Sequence, residues 1–147
     1  MLVLAVAAAC AAPLAASAQS RLAPPAEQRE IGWRGAVPAC DDARVLAEIA
    51  ARFTRREGGF WKSPLHISGY EKIREVALRP WGASYIPRRF CTASAHLDGH
   101  GRTQRRRVDY VILDGMGPIG LGWGVQYCVS GVERHLHAAP DCRMKRP

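Results

Sequence analysis

The chain has 147 residues, five cysteines and a formal net charge of +8. This length is typical of one domain with a real hydrophobic core, and no stretch after residue 20 is apolar enough to cross a bilayer. No two cysteines have Cys-x-x-Cys spacing, so the sequence supports neither a zinc ribbon nor a thioredoxin-type redox site.

The first 18 residues are uncharged, mostly small or apolar, and end in Ala-Ser-Ala. This pattern predicts a signal peptide over 1–18, and therefore a periplasmic or secreted protein that starts near Gln19. A membrane anchor is the weaker alternative, because Pro13 interrupts a stretch that is already too short to span a bilayer. A lipoprotein signal ending at Cys10 is a second alternative, but the residues before Cys10 suit such a signal poorly.

The next segment, 19–39, mixes Pro, Ala and charged residues without a period, which predicts a flexible leader. The rest, 40–147, is predicted to fold as a single domain. It contains four cysteines, Cys40, Cys91, Cys128 and Cys142. An even number of cysteines in an exported chain predicts two disulfides, whereas the same four in a cytosolic protein would suggest a metal.

Apolar residues then recur at helical spacing, which predicts an amphipathic helix. They are Val45, Leu46, Ile49, Ala50 and Phe53. Asp41 or Asp42 is placed to cap the start of this helix, and Gly58-Gly59 is placed to end it. We interpret the apolar stripe as a core face and not as a ligand groove.

Segment 72–79 alternates between apolar and polar residues, with Ile73 and Ala77 on one side, as in a half-buried strand. A short helix fits this segment almost as well. The connection before it looks irregular, and a short strand is expected at 65–67.

The same alternation predicts three further strands, over 89–97, 105–113 and 125–129. Residues 98–101, Asp-Gly-His-Gly, are predicted to form the turn that joins the first two, with Asp-Gly as the strong hairpin signal. A glycine-rich tract joins the last two. The three strands therefore predict the centre of an antiparallel sheet.

The side-chain parity of these strands helps to choose among the three possible disulfide pairings. Cys91 shares a face with small apolar residues, which is the expected helix side of the sheet, and Cys40 lies just before the helix. Cys128 points to the other face, where the chain after residue 131 could return with Cys142. We therefore predict the pairs Cys40–Cys91 and Cys128–Cys142.

Segments 85–91, 122–128 and 139–142 read YIPRRFC, GWGVQYC and APDC. In combination they resemble a family of small, exported, functionally uncharacterised bacterial proteins, and the resemblance covers residues 40–147. It implies an exported location and a shared fold. It implies no activity and no catalytic residue.

Two surfaces are candidates for binding. Arg105 and Arg107, with Arg88 and Arg89 on the neighbouring strand, could form a basic face that holds phosphate, sulfate or carboxylate through forked hydrogen bonds. A solvated sheet face is the plainer interpretation of these arginines. The glycine-rich tract could let a partner's backbone approach closely, with Trp123 as an aromatic anchor, although a simple hairpin connection explains the glycines as well.

This tract also matches the spacing Gly-x-Gly-x-x-Gly, at Gly115, Gly117 and Gly120. That fingerprint binds a dinucleotide only where a helix N-terminus receives the pyrophosphate. A strand pattern follows Pro118 instead, so no nucleotide is expected.

Four histidines form two pairs, His96 with His100 and His135 with His137. A metal would need a third converging ligand, which the sequence does not place, so surface histidines are expected and no metal or other cofactor is predicted. There is no Gly-x-Ser-x-Gly elbow, and the cysteines of 40–147 are assigned to disulfides. No catalytic residue is therefore predicted.

Together these features predict an α+β fold: one N-terminal helix packed on an antiparallel sheet of about four strands, stapled by two disulfides. Cystatin-like and NTF2-like folds share this architecture, which by itself licenses no function. The predicted function is a non-catalytic exported module that binds a partner through the open face of the sheet or the loop 115–123, and an envelope protein is a candidate partner. Binding of an anionic polymer or membrane surface by the arginine-rich face is one alternative, and a small metal-dependent or hydrolytic enzyme is another. No specific nucleic-acid recognition is expected.

Overall fold

The computed structural model describes residues 37–80, 84–133, 138 and 140–147. These residues form helix α1 (Ala43–Arg56) and strands β1 (His66–Arg79), β2 (Arg88–Gly99), β3 (Arg102–Asp114) and β4 (Trp123–Val129). The strands pair antiparallel in the order β1-β2-β3-β4. One helix packed on a four-stranded antiparallel sheet confirms the predicted fold class. The predicted signal peptide, and the predicted leader up to residue 36, lie outside the described residues.

Helix α1 begins as the sequence predicts, and Asp42 is the capping residue. Its carboxylate accepts a hydrogen bond from the Arg44 backbone N–H at 2.9 Å, which satisfies one of the unpaired donors of the first turn. Val45, Ile49 and Phe53 recur at four-residue spacing and are fully buried. Their burial against the sheet, and not local propensity, provides most of the helix's stability.

The end of the helix differs from the prediction. The α-helix stops at Arg56, but the chain continues through a π-helical turn, Glu57–Trp61, which contains the two glycines expected to end it. The turn stops at Lys62, which adopts a left-handed conformation with φ 52°. The carbonyl of Glu57, the first residue of the turn, accepts from the Ser63 N–H at 2.9 Å and so closes it.

Strand β1 is one continuous element, not the short strand at 65–67 and separate segment 72–79 that the sequence suggests. Its pairing with β2 shifts register at three places, one of them between Glu75 and Ala77. Each bulge moves the following side chains to the other face. Ile73 therefore packs against the main core while Ala77 packs on the opposite side of the sheet, so the prediction that they share a face is wrong.

The turn predicted at 98–101 does join β2 and β3, and its centre is the second half of that stretch. The two central residues are His100 and Gly101, with φ 53° and 73°, and Gly99 still pairs with Arg102. Two successive residues with positive φ form a two-residue turn whose twist matches the twist of the two strands that it joins. The Asp98 side chain instead accepts a hydrogen bond from the Thr103 hydroxyl.

The inner face of the sheet, defined as the face that packs against α1, forms the main core. Its residues alternate along β2, β3 and β4 as predicted: Cys91, Ala93, Ala95 and Leu97; Val108, Tyr110 and Ile112; Val125, Tyr127 and Val129. Tyr110 also donates a hydrogen bond to Cys40 O at 2.6 Å. The opposite, outer face has a smaller apolar cluster of Phe90, Val111 and Leu113.

Both predicted disulfides are present. Cys40–Cys91 joins the segment before α1 to the inner face across 51 residues of sequence. Cys128–Cys142 holds the C-terminal segment against the outer face across 14 residues. By loop-closure entropy the two bonds contribute about 4 and about 3 kcal/mol respectively.

Candidate functional site

The four candidate arginines do not form one basic face. Arg88, Arg105 and Arg107 lie on the outer face, whereas Arg89 lies on the inner face beside the position of Cys91. Arg105 pairs with His96, eight positions along β2 from Arg88. At about 3.3 Å per residue this places Arg88 and Arg105 roughly 26 Å apart along the sheet, which is too far for one small anion.

Two of these arginines already bind carboxylates of β1. Arg89 binds Glu75 and donates a second hydrogen bond to Val37 O at 3.3 Å, so it fixes the segment before the helix. Arg105 binds Glu71 at 3.1 Å while its side chain stays largely exposed. The Arg105 guanidinium holds the pKa of Glu71 below its ordinary value.

Arg107 belongs to a network that anchors the C-terminal segment. Arg107 and Arg146 both bind Asp109, at 3.1 and 3.0 Å, and both bind Asp141, at 2.8 and 3.3 Å. Asp109 is buried, and its other carboxylate oxygen accepts from the Thr92 hydroxyl at 2.9 Å. Burial raises the pKa of Asp109, and the hydrogen bonds from Thr92 and Arg107 oppose that shift. Arg107 therefore helps to hold the C-terminal segment against the sheet.

Trp123 borders a concave surface between α1 and the β3–β4 connection. This Trp123 cleft has a volume of about 650 Å³. One wall comes from α1 through Arg44, Glu48 and Arg52, and the other from the loop between β3 and β4 and the start of β4. The sequence predicted the loop and Trp123, but it missed the helix wall.

Close backbone packing fixes the loop that forms the second wall. A Cβ on Gly117 would lie 2.0 Å from Leu121 O, and a Cβ on Gly124 would lie 2.2 Å from Met116 O. Only glycine permits such approaches. A short 3₁₀ turn, Pro118–Gly120, lies within this connection and β4 follows it, so the predicted hairpin connection is confirmed.

The cations of the helix wall are held in place across the cleft. The Arg44 guanidinium carbon lies 6.0 Å from the centroid of the Trp123 ring, within reach of a cation–π interaction. The same guanidinium binds Asp42 at 2.7 Å and lowers the pKa of that carboxyl to about 2. Arg52 binds Glu48 at 2.7 Å and donates to Val125 O at 2.9 Å.

Groups suited to metal binding or catalysis are otherwise sparse in the described ranges. The candidate ligand atoms of Cys128, Glu133 and Cys142 lie within 4.8 Å of one another. The two cysteine sulfurs are bonded to each other in a disulfide, so they are not thiolate ligands. His96 lies 3.7 Å from Glu71 on the outer face. His100 is an exposed turn residue, and the predicted pair at 135 and 137 falls outside the described residues.

The fold and the cleft define a disulfide-stapled α+β domain with an open antiparallel sheet. Comparison with protein-family models, curated proteins and solved structures finds no match to this chain. The resemblance to small exported bacterial proteins therefore stays a prediction. In the parts of the chain that the structure describes, no helix has the length and apolarity needed to span a bilayer.

Proposed function

We propose that this protein is a non-catalytic exported binding module, and that the Trp123 cleft receives a segment of an envelope protein. One observation carries the proposal: the cleft places an exposed, uncharged loop opposite arginines that are already held in position. Trp and Arg are the residue types that most often dominate binding energy at protein interfaces. Preformed geometry also reduces the entropy lost on association.

The loop offers apolar area that a partner could cover. Leu121 is 67% exposed and Met116 48% exposed, and both line the cleft beside Trp123. Full burial of a side chain of this size contributes on the order of 1.5–3 kcal/mol. A partner segment with an apolar residue against the loop and a carboxylate near Arg44 would complement both walls.

Anionic-polymer binding through the arginine-rich face has less support. The net charge of +8 and the exposure of Arg105 favour it. Against it, Glu71, Asp109 and Asp141 already pair with Arg105 and Arg107. The two proposals differ in salt dependence, because screening weakens a solvent-exposed charge interaction far more than an apolar contact.

Site-specific photocrosslinking in the periplasm tests the cleft. A photoreactive phenylalanine analogue at position 121 should give a discrete adduct, and the same analogue at exposed position 103, in the distant β2–β3 hairpin, should not. Trp123→Ala should abolish the adduct, whereas Arg105→Glu should leave it unchanged. Thermal unfolding of each variant controls for folding.

The opposite pattern would contradict the proposal. An adduct that survives Trp123→Ala in a folded protein means that the cleft is not the binding site. An adduct that disappears with Arg105→Glu, or on addition of moderate salt, points to the arginine-rich face instead.

A further inference from the structure

Exposed apolar side chains gather at one end of the sheet. Because successive strands are antiparallel, the β1–β2 and β3–β4 connections leave the sheet at the same end, which we call the apolar end. Its exposed large apolar residues are Leu78, Tyr85, Ile86, Met116, Ile119 and Leu121. Neighbouring strands lie about 4.8 Å apart, so the two connections are separated by roughly 10 Å.

The other end of the sheet has a different surface. The β2–β3 hairpin turns there at His100 and Gly101, between Asp98 and Arg102. None of these hairpin residues is a large exposed hydrophobic side chain. The sheet is therefore polar at one end and apolar at the other.

The tip of the β3–β4 connection projects because of its backbone. Ile119 is 93% exposed, and its φ of 52° is a conformation that β-branched residues seldom adopt. The contacts of Gly117 and Gly124 close the loop beneath it. No charged residue occurs from 115 to 132, although 23% of the chain is charged. An exposed apolar loop of this kind is uncommon on a monomeric soluble protein unless it contacts something.

Cations border the same end. Arg79 and Arg88 form the last paired position of β1 and β2, and Arg44 stands at the start of α1 with its side chain 72% exposed. Asp42 and Asp114 offset part of this local charge. The chain as a whole carries +8, which attracts it toward an anionic surface.

We infer that the apolar end docks on the surface of an anionic bilayer, with Ile119 and Tyr85 inserted at the level of the headgroups. Ile119 and Tyr85 lie on separate connections and are 93% and 84% exposed. A fluid bilayer accepts both side chains without shape complementarity, and its anionic headgroups suit the bordering arginines. Met116 and Leu121 of this end also line the Trp123 cleft, but Ile119 and Tyr85 do not, so replacing Ile119 and Tyr85 tests this inference separately from the proposed function.

Vesicle cosedimentation tests the inference. Protein purified from the periplasm is mixed with vesicles of phosphatidylglycerol and phosphatidylcholine in equal amounts, and with vesicles of phosphatidylcholine alone. We expect binding to the anionic vesicles and weaker binding to the neutral ones. Replacing Ile119 and Tyr85 by Ser should weaken binding roughly tenfold for each side chain removed from the bilayer. Arg88→Gln should weaken it less.

Phe60→Ser is the matched control, because Phe60 is 71% exposed but follows the far end of α1. It should bind vesicles like the unaltered protein. If the Ile119→Ser/Tyr85→Ser protein, shown to be folded by circular dichroism, binds as tightly as the Phe60→Ser protein, the inference is wrong. The inference is also wrong if the unaltered protein does not bind the anionic vesicles. In that case, loss of the periplasmic crosslink at position 121 in the double variant would assign this end to a protein partner.

Discussion

Gly124→Ala should destabilise the protein and remove the Trp123 cleft. The new Cβ would lie 2.2 Å from Met116 O and 2.7 Å from the Met116 carbonyl carbon, whereas ordinary contacts begin at 3.4 Å. Both of these atoms belong to the backbone, so no side-chain rotation can relieve the overlap. The β3–β4 connection would have to move by roughly 1 Å within tightly packed surroundings.

Overpacking of this kind typically costs about 1–3 kcal/mol. With about 4–8 °C of melting temperature per kcal/mol in a small domain, we expect Tm to fall by roughly 10 °C. Urea unfolding followed by far-ultraviolet circular dichroism measures the free energy of unfolding directly. The photocrosslink at position 121 should also be lost under conditions where the variant is still folded, because the loop wall has moved.

Gly58→Ala is the matched control. A Cβ at Gly58 would meet nothing within 4 Å, and the residue lies in the helical turn after α1. Replacing a helical glycine by alanine reduces the conformational freedom of the unfolded chain and should stabilise by about 0.5–1 kcal/mol. If Gly124→Ala unfolds at the same urea concentration as the unaltered protein, the close packing inferred for the loop is wrong.

Two further predictions concern cross-links and pH. Replacing both cysteines of Cys40–Cys91 by serine should cost about 4 kcal/mol, and replacing Cys128 and Cys142 about 3 kcal/mol, measured by urea unfolding; equal and negligible losses would contradict the loop-length reasoning. Because Arg44 lowers the pKa of Asp42 from 3.8 to about 2, the charged carboxylate stabilises the fold above pH 3.8 and that contribution disappears as the pH falls toward 2. Asp42→Asn should lack this part of the acid dependence, and an unchanged acid-unfolding profile would argue against it.

Local sequence signals were most accurate where a strand keeps its register. Alternation along β2 and β3 is unbroken in their pairing, so residue parity gave the correct face for Cys91 and therefore the correct partner for Cys40. In β1 the register shifts three times. A bulge depends on how the neighbouring strand packs, so residue parity within β1 alone could not reveal that Ala77 lies on the outer face.

The β2–β3 hairpin shows a finer limit: the sequence places the turn within 98–101 but does not identify its two central residues. Asp98-Gly99 and His100-Gly101 both offer a glycine at the second turn position, and the Asp-Gly pair has the stronger local preference. The observed turn lets the ladder continue to the pair Gly99 and Arg102. Additional cross-strand pairing outweighed the local preference, and a single-strand pattern contains no information about that pairing.

The cleft could be predicted only on one side. Trp123 and the glycines before it stand out in the sequence because the surrounding stretch has no charge. Arg44 and Arg52 come from a helix about seventy residues earlier, and only the packing of α1 across the sheet brings them to the loop. A surface-exposed polar stripe on a helix does not indicate which element lies beside it.

The density of arginines in the sequence proved a poor guide to which of them lack a carboxylate partner in the structure. Most of the arginines singled out by their density hold the molecule together: Arg89 binds Glu75 and the Val37 carbonyl, and Arg107 secures the C-terminal segment through Asp141. Paired charges of this kind have much of their field cancelled, so they attract a distant anion weakly. Residues 115–132, where charge is absent, instead expose Ile119 and Leu121 to solvent. In this basic chain, a dense run of arginines in the sequence therefore indicates structural ion pairs as readily as an open basic face.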